Sequence, residues 1–247
     1  MCFICSNCLL KTHIEKSKET LNNLIIEKCN MLDLDVLKAS EDLDGLIYEC
    51  TSCRAKKERF SLLNMYNLSG THTSFYYYGT EHLITNVIQY IKKGLKSNEL
   101  IYLTMMDNIY DRLLTSLQSI GIPTENILFA DVSELILEHK NNSLKGLKEK
   151  IEFYQNNALL KGYKSIRWIG QPTFAITHTS EMDFLNWEKD LSIALKDTNI
   201  SLLCVYDFYD YMNPECTTIN SNVIEESYVT HPTLMYKFNV VSLIDKI

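Results

Sequence analysis

Residues 10–57 carry apolar side chains at helical spacing in two runs. Ile14, Leu21, Leu24 and Ile25 form one stripe. Val36, Leu37, Leu43, Leu46, Ile47 and Cys50 form another, with i, i+3, i+4 and i+7 spacings. The segment Cys29-Asn30-Met31-Leu32-Asp33 separates them. Asp33 suits the N-cap of the second run, because its carboxylate accepts the orphan N–H groups of a first turn. Two helices with so short a connection fold back antiparallel. At about 18–20 residues, each would be roughly 30 Å long.

From Gly70 onward the pattern changes to apolar strand-like runs alternating with amphipathic helices. Strands are predicted at 73–78, 100–105, 127–130, 165–169, 201–206 and 235–240, and helices at 81–95, 108–119, 144–161 and 181–196. Asp107 is a candidate cap for the second of these helices, and Thr179 or Ser180 for the fourth. Gly121-Ile122-Pro123 and Asn213-Pro214 punctuate the run. Such alternation predicts an α/β fold with a largely parallel sheet. The chain therefore divides into a helical hairpin (1–59), a linker (60–69) and an α/β domain (70–247).

A hydrophobic content of 46% with 22% charged residues excludes wholesale disorder. The net charge of −7 argues against a broad phosphate-binding surface, and so against nucleic acid as a partner. Residues 1–60 hold 9 basic and 10 acidic side chains, so the N-terminal module is not basic either. No run of about 18 apolar residues is present, which predicts no membrane span. The N-terminus lacks the apolar stretch of a secretory signal. A cytoplasmic location is the expectation, and there clustered thiols more often bind metal than form disulfides.

Six of the eight cysteines fall in the first 53 residues: Cys2, Cys5, Cys8, Cys29, Cys50 and Cys53. A hairpin turning near residue 30 sets residue 8 opposite residue 53. The pairs Cys5/Cys8 and Cys50/Cys53 then meet at the open end, with Cys2 as a further donor at the same spacing. Two C-x-x-C pairs brought together suit a tetrahedral zinc clasp, which would staple a hairpin too small to bury a sufficient core. An iron–sulfur cluster, unliganded thiols and a redox disulfide pair are the alternatives. His13 is a weaker candidate ligand. Cys29 lies at the turn end, outside the set, and Cys204 falls inside an apolar strand and reads as core.

The second helix contains the polar insertion Ser40-Glu41-Asp42-Leu43-Asp44. Ser40 and Asp44, at i and i+4, share a face with Leu43 and Ile47. Periodicity alone reads this as a solvated edge. Residues 14–47, however, resemble the stage-zero sporulation aspartyl-phosphate phosphatases, small helical hairpins whose hallmark is S-Q-E-L-D followed by a hydrophobic pair. Ser40, Leu43, Asp44 and Leu46-Ile47 match it, while Glu41 replaces the Gln and Asp42 the Glu. The resemblance implies a hairpin that docks on a phosphorylated response regulator controlling sporulation. There it would orient one water against an aspartyl phosphate already activated by the receiver's own Mg²⁺. It implies Asp44 as the essential polar group and Ser40 as a helper. Glu41 bears on the chemistry too, because a carboxylate near a phosphoryl group is repelled where an amide is not.

The α/β region has neither G-x-x-x-x-G-K-[ST] nor G-x-G-x-x-G, so ATP hydrolysis is not expected. Polar residues near strand edges are the candidates for ligand sensing: His72, Arg167, Gln171, Glu188, Asp207, Tyr209 and His231. Ligands of open α/β sheets bind at the carboxyl ends of strands, where Gln171, Asp207 and Tyr209 fall. Aromatics such as Phe75, Tyr76, Trp168 and Tyr206 can line a pocket or simply fill the core. Gly70-Thr71-His72-Thr73, Phe75-Tyr76, Gly94-Leu95, Asn98-Glu99, Gly162-Tyr163, Arg167, Trp187-Glu188, Cys204-Val205-Tyr206-Asp207 and Thr230-His231-Pro232 follow in order. Together they resemble the MEDS domain, the sensory domain of the methylotroph regulator DcmR and of methanogen proteins. That resemblance implies a RecA/KaiC-like core without a working phosphate loop, used for sensing; His72 and His231 stand at its motif positions.

Three functions fit these features. One is a regulatory phosphatase whose hairpin is adjusted by a small molecule bound to the sensory domain. The second is a non-enzymatic signalling adaptor that only docks. The third is a ligand-responsive transcription regulator, which the acidic balance disfavours.

Overall fold

The computed structural model describes residues 9–55, 57–213 and 221–245, with side chains over 10–51, 61–213 and 222–243. Cys2, Cys5 and Cys8 of the expected zinc clasp lie outside the described residues, as does the side chain of Cys53. Cys50 is buried.

Two helices open the fold, α1 (Leu9–Lys28) and α2 (Leu34–Ala55). The turn between them forms as the sequence dictates: Asp33 Oδ1 accepts from the Asp35 N–H at 2.9 Å and its carbonyl from the Leu37 N–H at 2.9 Å. Ile14 and Leu21 are fully buried, as are Val36 and Leu43, with Ile47 nearly so. The apolar stripes read from the sequence thus face inward.

The remainder is one eight-stranded sheet flanked by helices. Its strands are β1 (Lys57–Leu62), β2 (His72–Tyr77), β3 (Glu99–Thr104), β4 (Ile127–Phe129), β5 (Ser165–Gly170), β6 (Ile200–Asp207), β7 (Thr233–Tyr236) and β8 (Asn239–Asp245). The order across the sheet is β1-β8-β7-β2-β6-β5-β3-β4. The run from β7 to β4 is parallel throughout, while β8 and β1 add an antiparallel edge. Its central strands β2, β3 and β6 are buried along nearly their whole length, as strands covered on both faces require. The helices are α3 (Thr80–Lys96), α4 (Asp107–Ser119), α5 (Ser133–Leu160), α6 (Pro172–His178), α7 (Glu181–Leu195), α8 (Phe208–Met212) and α9 (Ser221–Thr230). Ser180 caps α7 by accepting from the Asp183 N–H at 3.1 Å. Met106, rather than Asp107, occupies the cap of α4.

Several elements depart from the pattern read in the sequence. The stretch expected to continue the helix and then connect the modules contains β1, which pairs with β8. The single strand expected at 235–240 is instead a hairpin, with Lys237 and Phe238 at φ 48° and 57° between β7 and β8. Both turn positions take the left-handed conformation that normally selects Asn or Gly, so neither residue announces the turn. The helix expected at 144–161 begins earlier, at Ser133, and kinks at Ser143.

Candidate functional site

The hairpin packs on the α/β domain through the same face that bears the S-x-x-L-D residues. Ser40 is fully buried, Asp44 is 4% exposed, and Glu41 is half-buried. Ser40 Oγ accepts from Asn86 Nδ2 of α3 at 2.9 Å. Asp44 Oδ2 accepts from the Lys237 backbone N–H at 2.8 Å, and Asp44 Oδ1 lies 3.0 Å from His82 Nε2 of α3. The Tyr78 N–H donates to His82 Nδ1 at 3.2 Å. A neutral His82 therefore carries its proton on Nε2, the nitrogen nearest Asp44, in a close contact that does not meet hydrogen-bond geometry. The periodicity reading of a solvated edge holds for Asp42, which is exposed, but is corrected for Ser40 and Asp44, which are enclosed because α3 presents polar partners to them. His82, Asn86 and Gln89 follow at i, i+4 and i+7 on one face of α3, with Thr85 beside them.

A second set of contacts covers the carboxyl end of β2. Tyr78 donates to the Glu15 carboxylate of α1. Lys18 Nζ sits 5.1 Å from the Tyr78 ring centre. Gly79 has φ 85°, a backbone conformation that favours glycine, and a Cβ added there would also press within 3.0 Å of Lys18 Cε, which could move aside. Asp207, at the end of β6, accepts from the Tyr209 N–H at 2.9 Å. Burial pushes its carboxyl up to about 7; the Tyr209 N–H and Lys18 oppose the rise and Asp210 adds to it. The place where an open α/β sheet usually takes its ligand is thus partly occupied by α1.

Arg167 and Gln171 are tied into the scaffold. Arg167 is fully buried and donates to Glu99, to the Tyr90 carbonyl (2.9 Å) and to the Met65 carbonyl (2.8 Å), with its guanidinium 4.4 Å from the Tyr90 ring centre. Gln171 accepts from the Met106 N–H at 3.1 Å and donates to Tyr77 Oη at 3.2 Å. Both link neighbouring strands and loops.

Three further sequence candidates, His72, Glu188 and His231, come together near the amino ends of β2 and β7, away from the carboxyl edge. They converge with Cys204, and one donor atom from each of the four buried residues lies within 4.8 Å of the others. His72 Nε2 is 3.3 Å from Glu188 Oε1 and 3.5 Å from Cys204 Sγ; His231 Nε2 is 3.1 Å from Glu188 Oε1. Tyr206 donates to the same oxygen at 2.8 Å. Burial lowers His72 to about 4 against the pull of Glu188. Burial also opposes the Glu188 carboxylate, yet the two imidazoles outweigh it and hold its pKa well below the usual range. Burial pushes the Cys204 thiol well up. Four donors of these types are a set that can hold a metal ion.

Sequence reasoning missed Cys204 as a member of this cluster, and it missed His82 and Asn86 as partners of the hairpin. Cys204 carried a signal, since strand alternation puts it on the same face as Tyr206. His82 and Asn86 carried none, because their partners lie more than thirty positions away.

Comparison with known proteins follows this division. The family described as MEDS, the methanogen/methylotroph DcmR sensory domain, matches residues 71–232. The Spo0E like sporulation regulatory protein family matches residues 10–51. No curated protein matches the chain. Among solved structures, a protein of Pyrococcus horikoshii OT3 (structural study of project PH0250) is similar at 9% identity, with a TM-score of 0.42 over 68% of this chain and 82% of that one. Among the described residues no helix is long and apolar enough to cross a membrane. The chain thus joins a hairpin similar to the Spo0E like sporulation regulatory family to a domain spanning most of its length, and by that domain it belongs to the MEDS family.

Proposed function

We propose that the protein is a sensor-gated regulator of a phosphorylated response regulator, and that its sensory domain holds the hairpin's reactive face covered. The observation that carries this reading is the double anchoring of Asp44, between His82 of α3 and the Lys237 N–H of the β7–β8 turn. A receiver cannot dock on Ser40 and Asp44 while α3 and this turn occupy the same face. In the open form Asp44 would orient a water toward the receiver's aspartyl phosphate, beside the receiver's own Mg²⁺, with Ser40 assisting.

The interface has the composition of a reversible contact. Thr85 Oγ1, Asn86 Oδ1 and Gln89 Nε2 are buried with no hydrogen-bond partner among the described residues. Each such group costs roughly 1–3 kcal/mol, which opening would relieve. Ligand at the sheet's carboxyl edge, near Asp207, Gln171 and Tyr209, would compete with α1 for the space around Tyr78 and Gly79. Such competition gives the two states different ligand affinities, as coupling requires. The parallel strands β7 to β4, with Tyr78-Gly79-Thr80-Glu81 after β2, support descent from a RecA/KaiC-like core without a phosphate loop. A zinc clasp of Cys2, Cys5, Cys8, Cys50 and Cys53 would hold the hairpin's open end.

A non-enzymatic adaptor is the second reading, favoured by Glu41 in the motif and by the closed contacts of Asp44. Phosphate release from a phosphorylated sporulation receiver separates the two. Asn86→Ala removes the donor to Ser40, worth about 1 kcal/mol or a fivefold population shift, and should speed release over wild type. Asp44→Ala should abolish it. Should neither wild type nor Asn86→Ala accelerate release, the adaptor reading replaces the phosphatase.

A further inference from the structure

His72, Glu188, Cys204 and His231 come from four different segments: the start of β2, the middle of α7, β6, and the two-residue link between α9 and β7. We propose that these four side chains form a buried binding site for a divalent first-row transition ion, zinc by its donor set, inside the sensory domain.

Three of the six donor–donor separations are close to those of a coordination shell, and all lie within 4.8 Å. In a tetrahedral zinc site, bonds of about 2.0–2.1 Å to nitrogen or oxygen and about 2.3 Å to sulfur set donor–donor edges near 3.3–3.6 Å. The edges here are 3.1 Å and 3.3 Å from the two imidazoles to Glu188 Oε1, and 3.5 Å from His72 to Cys204 Sγ.

The protonation pattern points the same way. His231 Nδ1 lies 2.9 Å from the Ser227 carbonyl, an acceptor only, so Nδ1 carries the hydrogen. His72 Nδ1 lies 2.9 Å from Ser192 Oγ, whose own hydrogen goes to the Thr230 carbonyl at 3.0 Å. That hydroxyl must therefore accept from His72. In their neutral forms both histidines turn a bare Nε2 lone pair toward the cluster. The outward N–H of each is held by a fixed oxygen, the arrangement that orients metal-binding imidazoles. In that neutral state the lone pairs face a carboxylate, and a cation between them, a proton or a metal ion, removes the repulsion and gives the attraction that holds Glu188 ionised.

Charge closes the argument. One divalent ion with the Glu188 carboxylate, the Cys204 thiolate and two neutral imidazoles makes a neutral unit, which a buried site tolerates. Binding displaces the Cys204 thiol proton to solvent and forms the sulfur–metal bond. Glu188 Oε2 has no hydrogen-bond partner among the described residues and remains available as a ligand. The imidazole centres are 3.8 Å apart, closer than two ligands at a tetrahedral angle, so loading has to spread His72 from His231. His231 lies two residues before β7, and β7 leads into the turn anchored by Asp44. The metal site stands whether or not the hairpin is a phosphatase.

The test uses the full chain with Cys2→Ser, Cys5→Ser, Cys8→Ser and Cys53→Ser combined, which removes the expected hairpin clasp. After purification under reducing, zinc-replete conditions and desalting, it should retain one zinc per chain. Replacing that zinc by Co²⁺ should give the visible bands of a tetrahedral ion and a thiolate charge-transfer band. Adding Cys204→Ser should abolish the charge-transfer band and leave the visible bands. Adding His72→Gln should lower the zinc content instead, which covers the case in which Cys204→Ser fails to fold. Zinc near zero in the folded four-serine protein would overturn the proposal, as would a charge-transfer band unchanged by Cys204→Ser.

Discussion

The contact between Asp44 and His82 can be weighed by a double-mutant cycle with Asp44→Ala and His82→Ala. The facing atoms are 3.0 Å apart and both side chains are nearly fully buried. For unit charges at that distance, an effective dielectric of about 20 gives a gross attraction of roughly 5 kcal/mol. Desolvating the pair consumes most of it, and a neutral His82 reduces it further. A net coupling of about 1.5–3 kcal/mol is the expectation. Asp44→Ala alone loses more than this coupling, because it also strips the acceptor from the partly buried Lys237 N–H (2.8 Å), worth about another 1–2 kcal/mol. Urea unfolding of the four proteins gives the cycle, and hydrogen exchange at Lys237 reports the turn separately. In Asp44→Ala the Lys237 amide should exchange about five- to thirtyfold faster, whereas in His82→Ala it should be much less affected. A coupling below about 0.5 kcal/mol, with Lys237 protection unchanged in Asp44→Ala, would show that Asp44 does not fasten the hairpin to the sensory domain.

Two other outcomes follow from the packing. The Asp207 carboxyl is raised to about 7 when folded, against about 3.9 in an unfolded chain. The folded state therefore holds a proton that the unfolded state releases between about pH 4 and 7, and stability declines as pH rises through that window. Asp207→Asn keeps the acceptor for the Tyr209 N–H and should flatten the decline. The variant should be up to about 4 kcal/mol more stable than wild type at pH 8 and close to it at pH 4; parallel stability curves would contradict the assignment. Gly94→Ala should cost at least about 2 kcal/mol in thermal or denaturant unfolding, since a Cβ there would lie 2.9 Å from Arg167 Cδ and Nε and from Ile101 Cδ1. A neutral effect would mean that Arg167 can shift without losing its three acceptors.

The hairpin was legible because its order comes from local periodicity and a local cap. Asp33 and the two apolar stripes interact within a few residues or across one turn. The alternation of strands and helices likewise announced the parallel sheet. Lost to the sequence were features whose cause is distant. The run KERFSL of β1 has only Phe60 and Leu62 to mark it, too short an alternation to announce a strand, and β8 offers it an edge. Lys237 and Phe238 turn without Gly or Asn, helped by Asp44 nearly two hundred positions earlier. Cys204 was read as core because its neighbours in β6 are apolar, and burial is indeed where it sits. Its significance arises from His72, Glu188 and His231, which only the fold brings beside it.

The edge strand β1 sets a mechanical limit on the hairpin. Helix α2 ends at Ala55 and β1 is bonded into the sheet from Lys57, so the hairpin is leashed to the domain that covers it. Any partner then competes with a tethered rival whose effective concentration is about millimolar or higher. If closure is worth about 3 kcal/mol, fewer than about one molecule in a hundred is open, and a partner's apparent affinity is weakened by more than about a hundredfold. The short leash turns the hairpin into a threshold device. It stays quiet at ordinary partner concentrations and answers steeply once a signal removes part of the closing energy.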